Sequence, residues 1–236
     1  MYYWDQDNFQ GLKSIGEKFS SIEDYELFRN YCLQKESGFK KLANIAIEEF
    51  ITITKTKPLD KQREIAVELS ALGFWNGNIH QLLNYPLVTY LTGVLTQWTA
   101  DEPENPTPYK WLGYLTSDIS WYEKALQLNP NDDICINRIA QAHINDLDHQ
   151  THHLSESLFL GDLDDAKKSL ASAQQLIDRL TIETAKATLN EELEYYVNLL
   201  RCWEEYEALP EKPSFPDWCA SNGHTFNFWS IVYYEK

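Results

Sequence analysis

Residues 146–153 form the segment whose residue types could bind a metal ion, since the run reads Asp-Leu-Asp-His-Gln-Thr-His-His. On a helix, His149 and His153 lie one turn apart on one face with Asp146 beside them, an arrangement that suits zinc or nickel. The sequence contains neither an H-E-x-x-H nor an E-x-x-H pattern, and a polar helix end needs no metal. We therefore predict no metal site. A metal-dependent enzyme that uses this cluster remains an alternative.

Carboxylates that could serve acid–base chemistry occur in two groups. One group is Asp101, Glu102 and Glu104, and the other is Asp162, Asp164 and Asp165. Acid–base work needs an apolar pocket that shifts one pKa, and the sequence does not reveal such a pocket. Carboxylates in the first turn of a helix, as predicted for the second group, complement the positive helix end. With no phosphate-binding loop or nucleophile motif present, we predict no catalytic residue, no cofactor and no enzymatic activity.

Composition and charge favour a folded protein that binds a basic partner. The 236 residues are 43% hydrophobic and 14% aromatic, which is sufficient for a sizeable core. Residues 1–99 carry 10 basic and 12 acidic side chains, whereas residues 100–236 carry 10 basic and 24 acidic ones. This acidity disfavours nucleic acids and anionic membranes, because both are bound through Lys and Arg. No signal peptide is recognisable, so we also expect a cytoplasmic location. The four cysteines are widely spaced, and we expect them to be free and buried.

Helical signals run along the whole chain and predict an all-α fold. Predicted helices cover residues 21–34, 37–55, 59–76, 86–99, 109–129, 132–153, 162–178 and 181–208. The first is predicted to start at a capping box, Ser20 to Glu23. The proline-rich segment 100–108 is predicted to be a long loop, and the uncharged stretch between Glu68 and Asp101 to be buried on all sides. Residues 209–236 are predicted to be an irregular aromatic tail that caps the last hairpin, because its prolines disfavour a helix. A short strand pair at 225–234 is an alternative for part of this tail.

An internal repeat is present, because residues 111–130 align without a gap on residues 159–178 at an offset of 48. Six of the twenty aligned positions are identical: Leu112/Leu160, Gly113/Gly161, Leu115/Leu163, Ala125/Ala173, Gln127/Gln175 and Leu128/Leu176. Repeats of this kind are typical of stacked helical units. We therefore predict that each copy forms one half of a helical hairpin.

These residues resemble the second helix of the tetratricopeptide repeat. The first copy matches through Gly113, Leu115, Tyr122, Ala125 and Pro130, and the second through Gly161, Leu163, Ala166, Leu170 and Ala173. The offset of 48 exceeds the roughly 34 residues of that family, and longer first helices would account for the difference. The resemblance is clearest over residues 109–178 and implies antiparallel hairpins stacked as a short superhelix, and we predict one helical domain over 1–236. Hairpins would occupy 1–99 and 109–208, separated by the 100–108 loop and closed by the 209–236 tail.

The resemblance also implies a concave surface that binds a protein or peptide. Asn137, Gln141, Asn145 and His149 recur every four residues on the helix that lines this surface in the family, so we predict that they contact a partner. A solvated polar helix face is the open alternative. Asp101, Glu102 and Glu104 are predicted to add acidic contacts. The predicted function is a non-enzymatic protein-interaction module for a basic protein; an immunity protein that neutralises a basic toxin such as a nuclease is a more specific alternative.

Overall fold

The computed structural model of the chain describes residues 6–228, with side chains from Asn8 onward. These residues form eleven α-helices and two 3₁₀ turns and contain no strand, so the all-α prediction is confirmed. The chain divides into two compact units, one ending at Leu128 and the other beginning at Asn129. The prediction of a single continuous repeat domain stays a prediction.

The helices of unit 1 are α1 (Gln6–Lys18), α2 (Glu26–Glu36), α3 (Lys40–Thr54), α4 (Leu59–Trp75), α5 (Tyr85–Asp101), α6 (Pro106–Thr116) and α7 (Ile119–Leu128). Those of unit 2 are α8 (Asp133–Thr151), α9 (Leu163–Arg179), α10 (Glu183–Glu207) and α11 (Phe215–Ser221). The 3₁₀ turns are Glu23–Tyr25 and Leu154–Glu156. Within the described residues, no helix is long and apolar enough to cross a lipid bilayer.

An aromatic cluster lies in the core of unit 1, where α2 packs on α3. The ring centroid of Phe50 lies 5.8 Å from that of Phe28 and 6.1 Å from that of Tyr25. The Tyr25 hydroxyl donates a hydrogen bond to Glu68, so α4 is tied to the same cluster. Burial raises the pKa of Tyr25, and Glu68 raises it further, so this phenol stays protonated as a donor.

Helices α6 and α7 form an antiparallel hairpin where one helix over 109–129 was predicted, so that prediction is wrong. The helix breaks because Ser117 adopts a left-handed conformation with φ 56°, and the Asp118 carboxylate accepts hydrogen bonds from the backbone and hydroxyl of Ser120. Gly113 lies inside α6 where the Tyr122 ring of α7 packs against it. A side chain at 113 would occupy the space that this ring fills.

The two copies of the sequence repeat have different structures. Residues 111–130 contain the end of α6 and all of α7, whereas residues 159–178 contain a loop and most of the single helix α9. The aligned glycines also differ, because Gly161 lies in the loop with φ 147°. The prediction that each copy is one half of a hairpin is therefore wrong for the first copy.

Prolines lie in the first turn of two helices, α6 and α11, in segments where the prolines were predicted to prevent a helix. Pro106 and Pro108 lie in the first turn of α6, which leaves a loop of only residues 102–105, and Pro216 lies in the first turn of α11. Proline suits this position because the first helical N–H groups need no intrahelical acceptor. The long loop at 100–108 and the absence of helix from the tail were therefore wrong predictions.

Two predictions for the N-terminal half also need correction. The capping box did not form a cap: the chain first makes the 3₁₀ turn, whose N-cap is Ile22, and α2 begins only at Glu26. The uncharged stretch is buried on one side only, since Thr89 and Gly93 of α5 are exposed and Tyr85 is 83% exposed. Uncharged polar side chains and the backbone can also be exposed to water. The lack of charged residues in this stretch therefore did not require burial on all sides.

Unit 2 is organised by α9, which runs antiparallel to both of its chain neighbours. The Thr181 amide donates to Asp133 at 3.0 Å and the Leu160 amide donates to the Gln150 carbonyl at 2.8 Å, which joins opposite ends of α8 and α9. Lys167 near the start of α9 pairs with Glu204 near the end of α10. Consequently α8 and α10 run parallel to each other.

We expect Gly113→Ala to lower the free energy of unfolding by about 1–3 kcal/mol, because the new Cβ would lie 2.6 Å from the Tyr122 ring and the packed hairpin must shift. Gly93→Ala is the matched control, since no atom lies within 4 Å of a Cβ there and alanine favours a helix interior by up to about 1 kcal/mol. Urea unfolding followed by circular dichroism measures both. Equal stability of the two variants would contradict the packing described for Gly113.

All four cysteines are free and buried, as predicted from their spacing. Burial raises the pKa of the Cys32 thiol to about 12 and that of Cys219 to about 11. Because the thiolate is the reactive form, we expect 5,5′-dithiobis(2-nitrobenzoic acid) to label the native protein at least about a hundredfold more slowly than the protein in urea. Rapid labelling of any thiol in the native state would contradict this burial.

Candidate functional site

The parallel pair α8 and α10 borders a pocket of about 470 Å³ in unit 2. Helix α8 contributes Asp148 and Thr151 to its wall, with His152 directly after the helix, and residues 227–228 close one side. The α10 wall consists of Glu191, Glu192, Tyr195, Tyr196 and Leu199. Their spacing of three, four and eight residues places these side chains on one face of the helix.

Hydrogen bonds from neighbouring side chains hold two of the pocket carboxylates. The Tyr196 hydroxyl donates to Asp148 Oδ1 at 3.0 Å, and Gln141 Nε2 donates to Glu192 Oε2 at 3.0 Å. Burial raises the pKa of Tyr196, and the hydrogen bond to Asp148 raises it further. The phenol therefore remains a donor to Asp148 across the physiological range.

The charge of the pocket is not balanced by its own walls. Asp148, Glu191 and Glu192 all face it, and none of the described residues that line it is Lys or Arg. Unit 2 as a whole carries 8 basic and 19 acidic residues, against 12 and 17 in unit 1. The pocket thus lies in the more acidic unit, and it is suited to a cation.

An aromatic cluster that shares Leu199 and Phe228 with the pocket wall joins α10 to the C-terminal segment. Phe215 of α11 is fully buried against Trp203 and Tyr206, with ring centroids 5.0 and 5.2 Å away. Phe226 packs edge-on against Tyr195 at 5.8 Å. The tail therefore packs on the helices as predicted, up to Phe228. Most of the predicted strand pair at 225–234 lies outside the described residues, and residues 225–228 form no strand.

The predicted polar stripe lies on α8 beside this pocket. Gln141 is the member that reaches the site, because it binds Glu192 and also approaches Asn145 Oδ1 at 3.3 Å. Asn137 is half-buried, and Asn145 and His149 are exposed. The stripe is a real feature of the helix surface, and its contact with a partner stays a prediction.

The predicted acidic residues at the end of α5 belong to unit 1, where two of them bind an internal cation. Arg63 Nη2 lies 2.6 Å from Asp101 Oδ2, and Arg63 Nη1 lies 2.8 Å from Glu102 Oε1. The guanidinium also lies 5.2 Å from the Trp98 ring centroid. The Asn105 amide lowers the pKa of Glu102, and Trp98 and then Arg63 lower it further. Glu104, the third residue of this group, is exposed and takes no part in that ion pair.

The histidine cluster does not form the metal-binding arrangement considered from the sequence. Helix α8 ends at Thr151, so His153 leaves the helix and its Nδ1 lies 3.0 Å from Glu156. His152 Nδ1 lies 2.6 Å from the His149 carbonyl, and Asp146 accepts hydrogen bonds from other side chains. Among the described residues, no group of three or more His, Cys, Asp or Glu side chains is placed to hold a metal.

In the second group of carboxylates considered from the sequence, Asp162 caps α9 by accepting a hydrogen bond from the Asp164 amide at 2.8 Å.

A larger and more open groove of about 760 Å³ lies in unit 1 between α3, α5 and the start of α4. Its apolar lining includes Ile51, Tyr90 and Val94. The Lys55 ammonium lies 5.8 Å from the centre of the Tyr90 ring. This groove offers apolar contact area but little charge, so the α8–α10 pocket is the site with the more specific chemistry.

Comparison of the chain with known protein families, with curated proteins and with solved structures finds no match. Sequence reasoning missed the α10 residues of the pocket, although Glu191, Glu192, Tyr195 and Tyr196 already show the spacing of one helix face.

We expect Phe215→Ala to lower the free energy of unfolding of unit 2 by about 3–5 kcal/mol, because it empties a fully buried site in the aromatic cluster between α10 and α11. Glu211→Ala, at an exposed position of the same segment, is expected to change this free energy by less than about 0.5 kcal/mol. Thermal and urea unfolding measure the difference. A Phe215→Ala protein with an unchanged midpoint would mean that α11 contributes nothing to the stability of unit 2.

Proposed function

We propose that this chain is a non-enzymatic protein-binding module that binds a basic protein through unit 2. The observation that carries the proposal is the α8–α10 pocket, in which three carboxylates and two tyrosines face one space and no described lining residue is Lys or Arg. Carboxylates beside aromatic faces attract cations through charge and through the ring quadrupole. A basic protein surface supplies such cations.

The charge of the whole unit supports the same partner. The excess of 11 acidic residues in unit 2 produces a negative field that accelerates encounter with a basic protein and repels nucleic acid. In unit 1, by contrast, Arg63 already pairs with Asp101 and Glu102. The contact surface is therefore centred on α8 and α10 rather than on the end of α5.

The order of helix packing is consistent with a helical repeat protein of the tetratricopeptide type. Consecutive helices pack on one another in both units, as in α6 with α7 and α8 with α9. Helical repeat proteins present long helix faces to their partners, and the Asn137, Gln141 and Asn145 side chains of α8 extend such a face from the pocket. We include this α8 face in the proposed contact surface.

The test begins with capture of proteins from the native cell extract on the immobilised full chain. We expect the protein retained most strongly to be basic. Its association rate with the free chain is expected to fall at least about tenfold between about 0.02 and 0.2 M salt, because the Debye length shortens. Stopped-flow mixing measures the rate. An acidic partner, or a rate indifferent to salt, would contradict the proposal.

A pair of charge-matched variants separates the pocket from the general field. Asp148→Asn, Glu191→Gln and Glu192→Gln together remove the pocket charge, whereas Glu194→Gln, Glu205→Gln and Glu211→Gln remove three exposed charges elsewhere in unit 2. Both variants change the net charge equally, so they should slow association to a similar extent. Only the pocket variant is expected to increase the dissociation rate, by at least about tenfold, since it alone loses close contacts. Equal dissociation rates would place the contact away from the pocket.

A further inference from the structure

We propose that the α8–α10 pocket is a binding site for the guanidinium group of an arginine side chain of the partner protein. This inference rests on the proposed function and specifies the group that is recognised. It depends on three features of the pocket: the positions of its carboxylates, the arrangement of its aromatic rings, and its size and opening.

The carboxylates line the space from two helices. Asp148 lies on α8, and Glu191 and Glu192 lie on α10. A guanidinium carries five N–H donors in a fixed plane and can reach acceptors on opposite sides at once, whereas an ammonium group is a compact point charge. Acceptors on two walls therefore favour arginine over lysine.

Two of the three carboxylates are oriented by hydrogen bonds before a ligand arrives. Tyr196 donates to one oxygen of Asp148 and Gln141 donates to one oxygen of Glu192. Each of these carboxylates thus has a fixed orientation and a second oxygen. A site that is already ordered loses less conformational entropy on binding.

The aromatic side chains provide flat surfaces for the guanidinium. The rings of Tyr195 and Tyr196 are perpendicular, with centroids 5.1 Å apart, and Phe228 lines the same pocket. A planar guanidinium stacks on such faces and is more weakly hydrated than an ammonium, so it leaves water at a lower cost. Tyrosine and arginine are also the residue types that dominate binding energy in protein interfaces.

The size of the site fits a side chain that enters from a protein surface. A volume of about 470 Å³ is in the range of small-ligand pockets, and the exposure of Asp148 and Glu191 at its rim leaves an open side for the chain that carries the arginine. The same chemistry could recognise a small free cation, and the experiment distinguishes the two sources.

The full chain is titrated with the capped peptide acetyl-Gly-Gly-Arg-Gly-Gly-amide, and binding is followed by NMR and isothermal titration calorimetry. We expect a dissociation constant in the millimolar range, at least fivefold tighter than for the lysine peptide. The citrulline peptide, which keeps the shape and removes the charge, is expected not to bind. Shifted resonances should belong to residues around Tyr195 and Tyr196. Equal binding of the three peptides, or shifts away from the pocket, would overturn the proposal.

Two variants test the carboxylates without altering side-chain size. Glu191→Gln with Glu192→Gln is expected to weaken arginine-peptide binding at least fivefold, whereas Glu194→Gln, on the same helix and outside the pocket wall, is expected to leave it unchanged. Circular dichroism and the thermal midpoint verify that each variant is folded. If Glu194→Gln weakens binding as much as the pair does, the pocket is not the site. If the pair does not fold, Asp148→Asn alone replaces it, with the same fivefold criterion.

Ethylguanidine, a free guanidinium compound with the same single charge as the arginine side chain, distinguishes the source of the cation. Binding of ethylguanidine more than tenfold tighter than the arginine peptide would assign the pocket to a small cation and overturn the proposal. A basic partner that binds the chain while the arginine peptide does not would refute this inference and leave the proposed function intact. Carboxylate-dependent binding of the peptide by a chain whose captured partners are acidic would support the arginine site and refute the proposed function.

Discussion

The arrangement of unit 2 depends on one constraint, which is that α9 runs antiparallel to both α8 and α10. The hydrogen bonds between Thr181 and Asp133 at one end, and between Leu160 and Gln150 at the other, fix α9 on α8. Two reversals of direction return the chain to its original direction, so α10 lies parallel to α8. Side chains that are more than 40 residues apart in sequence, such as Asp148 of α8 and Tyr196 of α10, therefore come into contact.

The ion pairs of the two units show different uses of acidic side chains. Arg63 is about 9% exposed and lies beside Trp98 and two carboxylates, so the exposed Asp101 and Glu102 side chains are paired with a cation of their own unit. Such a partly buried network orients the end of α5 against α4, and removal of its cation would leave two carboxylates beside an apolar ring. Asp148 and Glu192 instead accept hydrogen bonds from neutral donors, which orient a carboxylate without cancelling its charge.

Most helices could be predicted from the sequence because their ends carry local signals. Asn84 caps α5 and Asp162 caps α9 through their side chains, and both helices were predicted to within two residues of their observed ends. Helix α1 was not predicted. Its Gly11 and Gly16 disfavour a helix locally, and they are explained only by the close packing of Ile79 and Leu33 against them. A contact between distant residues overrides local preference there, and no short window of sequence contains it.

The candidate site was harder to predict than the fold for the same reason. The α8 stripe was visible as a four-residue period, but its function beside α10 depends on which helices pack together, and the pattern of one helix does not contain that information. The acidic group at 101–104 appeared equally suitable for a partner, because the sequence did not reveal that Arg63 lies next to it.

Residues 227–228 form one side of the pocket, and they reach it only because Phe215 and Phe226 are packed on α10. The pocket is therefore complete only in molecules whose C-terminal segment is docked. A ligand that contacts this wall binds the docked form in preference to any form in which the segment has separated, and mass action then shifts the population toward docking. Occupation of the pocket and docking of the segment from α11 to Phe228 are thus two measures of one equilibrium.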